Sequence, residues 1–244
     1  MPNFVSLDYI EFMKDKKVLN ISSEVVPYLP QTNQAINSFK IPKNINDHGG
    51  QTRIFMPRYG LINERRHQLH EVIRLSGMNL VINDVDMPLV IKVASIPKER
   101  MQVYFIDNED YFKRKTVFNN KKGQFHKDND ERCLFFCKGV LETVIKLGWA
   151  PDIIHCNDWM SSLIPLLIKT SYSDRHIFEK SKCIFSIYEN SFKEKLDKKM
   201  IDKIIDEDID SNMLTSLKSN DYQGLILSLI HISEPTRLLS IAFG

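Results

Sequence analysis

Short apolar segments alternate with longer amphipathic ones along most of the chain. Residues 130–147 place apolar side chains at helical spacing, with acidic residues in the first turn and Gly148 after the last apolar position, which predicts a helix. Buried strands separated by such helices are typical of βαβ units, so the pattern predicts an α/β fold with a doubly wound, mostly parallel sheet. The strands are predicted at 16–23, 51–57, 101–108, 151–156 and 182–188.

Three other segments depart from this simple alternation. Residues 70–97 contain two stretches that alternate apolar and polar side chains, HEVIRLSGMNLVIND and MPLVIKVASI, which predict an antiparallel excursion from the sheet. Residues 159–170 read as one helix, and Pro165 within it predicts a kink. The dense charges of residues 193–210, with Met and Ile at intervals, predict a solvated surface helix.

Composition narrows the class of protein and its partners. Hydrophobic residues make up 43% of the 244 residues and charged residues 26%, which is ordinary for a soluble protein with a buried core. Lys and Arg number 33 against 31 Asp and Glu, so the net charge of +2 creates no field that would attract a polyanion. We therefore predict no nucleic-acid partner.

The sequence also favours a cytoplasmic location. Its first residues lack the basic start and apolar core of a signal peptide, and no apolar run approaches the length of a membrane span, so no membrane partner is expected. The four cysteines have neither a C-x-x-C spacing nor a suitably placed histidine. We predict that they pack in the core, and we predict no metal site and no cofactor.

The ends of the predicted strands locate a candidate site. In a parallel sheet the carboxyl ends of the strands meet at one rim, where loops converge and helix N-termini point at bound ligands. In this chain the predicted rim segments are 22–28, 107–111, 155–159 and 188–192. This geometry predicts where a ligand binds and leaves its chemistry open.

Five segments resemble the glycogen synthases of bacteria and the starch synthases of plants. They read VLNISSEVVPYLP, RIFMPRYGLI, VYFIDNEDYFKR, DNDERCLFFCKGVLE and PDIIHCNDWMSSLIPLLIK, and they follow one another in the family's order between residues 16 and 192. The layout is most similar to the glycogen-synthase-like proteins of Bacteroidetes-type bacteria. The resemblance implies a GT-B glycosyltransferase, in which two Rossmann-like domains face a cleft, and it identifies this chain as the N-terminal half.

The resemblance also implies an activity and its substrates. Members of the family transfer glucose from a nucleotide sugar, ADP-glucose in bacteria, to the non-reducing end of an α-1,4-glucan with retention of configuration. The implied partners are therefore ADP-glucose, an α-glucan acceptor and the missing C-terminal domain of the parent chain, which holds most of the nucleotide sugar in the family. We expect this fragment alone to be inactive.

The predicted domain boundaries follow from the same comparison of segments. Residues 1–15 form an N-terminal extension, and residues 16–226 form the truncated N-terminal domain. The string LSLIHISEPTR, which begins at residue 227, resembles the translation of an adapter used to prepare sequencing libraries with a transposon. We therefore expect residues 227–244 to be a non-native tail.

The family's pattern predicts which residues bind substrate. The resemblance implies that Asn157 lies in the cleft and favours the same place for Asp128, at the start of its helix, while Glu24 and Tyr28 belong to the segment after the first strand. The predicted substrate-binding residues are Glu24, Tyr28, Asp128, His155, Asn157 and Asp158.

Simpler roles are open for several of these residues. His155 could be a hydrogen-bonded histidine at a strand end, Asp158 the N-cap of the next helix, and Trp159 a core residue. Asp128 could stabilise the start of its helix through the dipole.

The sequence departs from the family's pattern in three places. Where the family has Lys-x-Gly-Gly after the first strand, residues 30–40 contain no glycine, so a phosphate contact is lost. Asn157 stands at the position of the family's second histidine and cannot carry a proton near neutral pH. Tyr188 and Glu189 replace the His-Asn pair after the last strand. No catalytic residue is therefore intact.

These departures support an alternative, a non-catalytic relative that binds glucan or a nucleotide sugar. A flavodoxin-like or dinucleotide-binding domain is disfavoured because no G-x-G-x-x-G follows the first strand.

Overall fold

The computed structural model describes residues 13–189, 191–204 and 214–232, with side chains up to Ser228. Within this part of the chain, eight strands form a single mixed sheet in the order β3-β5-β6-β2-β1-β7-β8, and β4 pairs with β5. The strands are β1 (Lys17–Ser22), β2 (Gln51–Pro57), β3 (His70–Glu71), β4 (Met78–Ile82), β5 (Val85–Ser95), β6 (Gln102–Asp107), β7 (Ile153–Asn157) and β8 (Lys182–Ser186).

Seven α-helices are found in the described part of the chain. They are α1 (Asn33–Asp47), α2 (Glu64–His67), α3 (Glu109–Phe112), α4 (Asn129–Leu147), α5 (Ile164–Lys169), α6 (Met200–Ile204) and α7 (Tyr222–Ile232). Short 3-10 turns lie at Trp159–Ser161, His176–Phe178 and Ser216–Ser219.

Five strands, β6, β2, β1, β7 and β8, run parallel to one another. If these five strands are numbered in chain order, they lie side by side as third-second-first-fourth-fifth. The order in which strands are added to the sheet therefore reverses between β1 and β7. This is the order of a Rossmann-like sheet, and ligands bind in the crevice at that switch point. The predicted α/β fold is confirmed. The predicted antiparallel excursion is confirmed as well, because β3 and β6 both pair antiparallel with β5.

The hydrophobic core lies on both faces of the parallel strands. Leu19 and Ile21 of β1 are fully buried, as expected for a strand covered by helices on each side. Helix α4 packs on β6 through Gly139, where an added Cβ would lie 2.9 Å from the Cγ2 of Ile106. A side chain there would push the helix away from the sheet, so glycine sets the distance between the two elements.

Two predictions about helices were incomplete. Residues 159–170 form a 3-10 turn followed by α5, and Pro165 lies in the first turn of α5, where its missing N–H costs no hydrogen bond. The predicted kink is therefore wrong. Helix α1 had no counterpart in the sequence analysis. Thr32 begins it, because the Oγ1 of Thr32 accepts from the backbone N–H of Ala35 at 3.0 Å.

The charged segment 193–210 is only partly a solvated helix. Its apolar residues Leu196, Met200 and Ile204 are spaced four apart and are buried. Within the described residues only α6 is helical, and residues 205–210 lie outside them. The side chain of Lys203 is 7% exposed. The prediction of a wholly solvated segment is wrong because the i, i+4 spacing of the apolar side chains places one face of α6 against the core.

Lys203 joins α6 to the first turn of α4. Its Nζ lies 2.8 Å from carboxylate oxygens of Asp130 and Glu131 and 2.9 Å from one of Asp197. Burial acts to lower the pKa of Lys203, but hydrogen bonds to these three carboxylates outweigh it and the pKa is raised. The ammonium group of Lys203 therefore stays protonated at neutral pH.

The two predicted end segments fall largely outside the described residues. Of the N-terminal extension, the structure describes residues 13–15. Helix α7 continues past residue 226 to Ile232, and residues 233–244 are not among those described. The domain boundaries and the foreign origin of residues 227–244 stay predictions. In the described part of the chain, no helix combines the length and apolar character that a membrane crossing requires.

Replacement of Lys203 by Met should destabilise the protein. The substitution leaves the carboxylate of Asp130, whose side chain is 0% exposed, without its cation. We expect the free energy of unfolding to fall by about 3 kcal/mol, as when one partner of a buried ion pair is removed. Urea unfolding of Lys203→Met measures the effect, with Lys199→Met as the control because Lys199 is exposed on the preceding turn. Equal stability of the two variants would contradict the structural role of Lys203.

Candidate functional site

The switch point between β1 and β7 is filled by buried polar side chains. Asn157, the last residue of β7, is fully buried, and its Nδ2 donates to the Oδ1 of Asn20 and to the carbonyl of Ile21, both at 3.1 Å. Its Oδ1 accepts from the hydroxyl of Tyr188 at 3.1 Å. Two departures from the family's pattern, Asn157 and Tyr188, therefore contact each other.

Gln34 of α1 occupies the crevice between the two strand ends. Its Nε2 donates to the Oγ of Ser22 at 3.1 Å and to that of Ser23 at 3.0 Å, and it lies 3.4 Å from the carbonyl oxygen of Asn157. Ser38, one turn later on α1, donates to the same Ser22 hydroxyl at 2.8 Å. A side-chain amide and a hydroxyl of α1 thus fill the space beside the ends of β1 and β7.

Asp158 follows β7 with an unusual backbone conformation. Its φ of 61° and ψ of 178° lie in a region that is essentially restricted to glycine, and such strain concentrates at functional sites. Its N–H donates to the carbonyl of Ser186 at 2.9 Å, which holds the conformation. Its Oδ1 lies 3.4 Å from the hydroxyl of Tyr222. Asp158 stands at the N-cap position of the following 3-10 turn, as the alternative predicted, but its carboxylate makes no capping hydrogen bond.

An aromatic cluster lies beside Asp158. It consists of Phe118, Phe125, Trp159, Phe192 and Tyr222. The ring centroid of Trp159 lies 4.8 Å from that of Phe118 and 5.1 Å from that of Phe192, and Trp159 is 1% exposed. The alternative of Trp159 as a core residue is therefore supported. Phe192 and Tyr222, whose centroids are 5.7 Å apart, bring the chain after β8 onto this cluster.

His155 lies inside the sheet, two residues before the rim. It is 6% exposed, and its Nε2 is 2.8 Å from the Oγ of Ser186 on β8. Burial lowers the pKa of His155 from its ordinary value of 6.5 to about 4, so the imidazole is neutral near pH 7. This geometry is that of a hydrogen-bonded structural histidine.

Asp128 marks a second group, at the start of α4. The guanidinium of Arg114 donates to both of its carboxylate oxygens, at 2.7 and 2.6 Å. Burial would raise the pKa of Asp128, but this bidentate contact outweighs it and the pKa is lowered. The side chain makes no capping hydrogen bond to α4. Gly60 holds the neighbouring loop in place by donating to the carbonyl of Arg114 at 3.0 Å.

Arg132, four residues after Asp128 on α4, is fully buried. Its Nε donates to the carbonyl of Tyr111 at 2.9 Å, and its guanidinium lies over the rings of Phe112 and Tyr59, 5.4 and 5.8 Å from their centroids. Its Nη2 has no hydrogen-bond partner among the described residues. A buried cation with a vacant donor is a candidate for positioning polar ligands.

Glu24 and Tyr28 lie on the loop after β1. The hydroxyl of Thr32 donates to Glu24, and burial raises the pKa of this carboxylate although the hydrogen bond opposes it. Glu24 is tied to the switch point, because its carbonyl accepts from the Oγ of Ser22 at 2.8 Å. The ring of Tyr28 packs edge-on against that of Phe105 on β6, with their centroids 4.9 Å apart. In the described part of the chain the buried hydroxyl of Tyr28 has no hydrogen-bond partner.

The six predicted residues therefore fall into separate groups. Asn157 ends β7 at the switch point and Asp158 follows it, and the backbone of Glu24 is joined to that point through Ser22, whereas Asp128 lies with Arg114 at the start of α4. His155 and Tyr28 are enclosed within the sheet and its packing. The sequence analysis missed the contributions of Gln34, Arg114 and Tyr222, whereas Phe192 ends a predicted rim segment. Gln34 had one available signal, its spacing of four from Ser38, which places both on one face of a helix.

The depressed pKa of His155 predicts a pH-dependent stability. Between pH 6.5 and about 4 the unfolded chain binds a proton at this histidine and the folded protein does not, so stability falls as the pH falls through this range. We expect the wild type to lose about 2 to 3 kcal/mol more than His155→Gln between pH 7 and pH 4.5. Urea unfolding across this range measures the difference, with the exposed His176→Gln as the control. Parallel pH profiles for the wild type and His155→Gln would refute the assignment.

Comparison with known proteins identifies the family. The family model described as the starch synthase catalytic domain matches residues 17–234. A glycogen synthase from Chlorobaculum parvum is 37% identical over 219 residues, which cover 85% of this chain and 45% of that protein. One from Chlorobium chlorochromatii is 44% identical over 183 residues, covering 74% of this chain and 37% of the relative. The chain thus spans less than half the length of these curated relatives.

A solved structure shows the same fold. The catalytic domain of starch synthase IV from Arabidopsis thaliana, bound to ADP and acarbose, superposes with a TM-score of 0.73 at 18% identity, over 90% of this chain and 44% of that chain. The predicted relationship to glycogen and starch synthases is confirmed by the family model and by these relatives. This chain belongs to the starch synthase catalytic domain family.

Proposed function

We propose that the chain is the N-terminal, acceptor-side part of a glucosyltransferase of the glycogen and starch synthase type. The parent protein transfers glucose from ADP-glucose to an α-1,4-glucan with retention of configuration, in the cytoplasm. The observation that carries this proposal is the placement of Asn157 and Asp158 at the end of β7, at the switch point and beside the aromatic cluster, in a chain of this family. Carboxylate and amide groups hydrogen-bond sugar hydroxyls, and aromatic rings pack against sugar faces.

The proposal assigns electrostatic and positioning roles to this half of the enzyme. A retaining transfer of this kind relies on stabilising an oxocarbenium-like donor and the leaving diphosphate. Asn157 supplies no proton. Asp158, whose backbone is strained and whose side chain is buried, orients the reacting sugar. The nucleotide sugar is held mostly by a second Rossmann-like domain. The second domain is supported by the fraction of each relative's length that the chain covers. The nucleotide is supported by the ADP named with the Arabidopsis structure.

One observation favours a second candidate function, a non-catalytic relative that binds glucan or a nucleotide sugar. Gln34 bridges the strand ends with three contacts, and Tyr188 closes over Asn157. These side chains fill the crevice that would otherwise accept a phosphate. A protein that keeps the acceptor side and has lost the donor contact would bind glucan without turnover.

The transfer proposal predicts that the chain binds glucan and that only the longer gene product transfers glucose. We expect residues 1–244 to bind maltoheptaose and to incorporate no glucose from ADP-glucose into glycogen. The product of the uninterrupted gene, with its second domain, should incorporate glucose in the same radiometric assay. A gene product that carries the second domain and shows no incorporation at high enzyme concentration would defeat the proposal in favour of the binding protein.

Reversion of the altered site separates an impaired enzyme from a binding protein. Asn157→His alone should give little gain, because the hydroxyl of Tyr188 and the amide partners of Asn157 leave an imidazole no free space. The pair Asn157→His and Tyr188→His should raise the kcat of the longer gene product by at least about 10-fold, as expected for a restored proton-carrying group. Asn79→His, at an exposed position of β4, is the matched control. Unchanged kcat in the double variant would show that these positions do not limit the reaction.

A further inference from the structure

A surface cavity of about 450 Å³ adjoins the aromatic cluster. It lies between the hairpin of residues 119–125 and the segment that follows Phe192. Its lining includes Lys122, Phe125, His126 and Lys127 on one side and Glu194 and Lys195 on the other. Its volume falls within the range of small-molecule sites in proteins. No role described so far uses these residues, apart from the ring of Phe125.

The hairpin that carries half of the cavity is held by its own hydrogen bonds. The Oδ1 of Asn120 accepts from the backbone N–H of Lys122 at 2.9 Å and from that of Gln124 at 3.1 Å. The Nδ2 of Asn120 donates to the Oε1 of Gln124 at 2.9 Å, and Asn119 forms an antiparallel bridge with Phe125. The backbone of the hairpin is therefore ordered before a ligand arrives, which lowers the entropy cost of binding.

The apolar wall of the cavity is fixed to the candidate site. The ring of Phe125 stacks on that of Phe192, with centroids 4.8 Å apart and planes 25° from parallel. Both rings also pack against Trp159, whose ring centroid lies 6.1 Å from that of Phe125 and 5.1 Å from that of Phe192. Trp159 directly follows Asp158, so Phe125 is connected through this one ring to the position proposed to contact sugar. Aromatic rings of this kind provide a flat surface for a sugar ring.

The charge of the lining is strongly positive. Lys122, Lys127 and Lys195 form no ion pair within 4.0 Å among the described residues, whereas other lysines at this rim, Lys113 and Lys203, are paired. Three ammonium groups against the one carboxylate of Glu194 give the lining a net charge of +2. An excess of cations in the lining favours a bound anion.

His126 contributes hydrogen bonding and no charge. Burial lowers its pKa, and the nearby charges of Arg132 and Arg114 lower it further, although Asp128 opposes them. The imidazole is therefore neutral near pH 7, with its Nε2 3.0 Å from the Oγ1 of Thr116. The cations in the lining are the three lysines, and the opposing charge comes from Glu194 in the lining and from Asp221, which interacts with Lys195.

We propose that this cavity binds a carbohydrate phosphate monoester, with the phosphate among Lys122, Lys127 and Lys195 and the sugar ring against Phe125. A phosphate monoester carries a charge close to −2 at neutral pH and three acceptor oxygens, which match the net charge and the number of ammonium groups. A carboxylate would offer one charge and two oxygens. The carbohydrate part of the inference rests on the proposed function. The monoester is either a free sugar phosphate or a phosphate carried by a glucan chain.

Calorimetric titration of the full chain at low ionic strength tests this inference, with glucose 6-phosphate as the probe. We expect saturable binding, with a Kd that rises at least about 10-fold in the double variant Lys122→Gln and Lys195→Gln, because two charge-assisted hydrogen bonds are lost. The control is Lys180→Gln with Lys182→Gln, two exposed lysines at the opposite rim before β8. Circular dichroism establishes that each variant is folded.

The outcomes separate this inference from the proposed function. Absence of binding, or equal Kd values in the wild type and the double variant, would overturn it. Inorganic phosphate binding as tightly as glucose 6-phosphate would overturn the role of the sugar ring. A maltooligosaccharide that carries one phosphate, compared with glucose 6-phosphate, distinguishes a glucan-borne phosphate from a free one. Unphosphorylated maltoheptaose reports on the proposed function alone, and its affinity should be the same in both lysine variants.

Discussion

The hydrogen bonding of Asn157 is the interaction on which the arrangement of the switch point depends. A buried amide must find partners for both of its ends, and Asn157 finds them on β1 through Asn20 and Ile21 and on the chain after β8 through Tyr188. The parallel register, which places Ser22 opposite Asn157 and Asn157 opposite Ser186, brings these groups to one level. The amide therefore fastens three consecutive parts of the sheet at the rim where ligands bind.

The same requirement explains the polar side chains of α1. The hydroxyls of Ser22 and Ser23 are buried at the strand end. That of Ser22 contacts the backbone of Glu24, and polar side chains on α1 complete the hydrogen bonding of both. Gln34 and Ser38 satisfy them. Helix α1 therefore closes the crevice at this strand end with side chains.

Much of the fold could be predicted from the sequence because its signals are local. The strand at Gln51–Pro57 was predicted with both boundaries correct, and α4 began one residue earlier than its apolar spacing indicated. Helix α1 was missed because its hydrophobic face is weak and carries buried Gln34 and Ser38. The burial of Lys203 could not be read from its charged surroundings, since it depends on Asp130, 73 residues away.

The candidate site was predictable in its location and less so in its contacts. The resemblance marked Asn157 and Tyr188 as separate departures, but they are 31 residues apart, and their contact follows from the pairing of β7 with β8. His155 was expected at the rim and lies within the strand, because β7 extends to Asn157. The strain at Asp158 has no sequence signal, since its backbone conformation is one that normally requires glycine and nothing in the sequence predicts it for an aspartate.

Gly60 shows how a position outside the site governs its shape. The N–H of Gly60 donates to the carbonyls of Phe112 and Arg114, and a methyl group on this residue would overlap the carbonyl oxygen of Lys113. Any larger residue would separate the turn after β2 from the end of α3. Arg114 would then move away from Asp128, and the bidentate contact between them would be lost. The absence of a side chain at Gly60 is therefore needed for this ion pair.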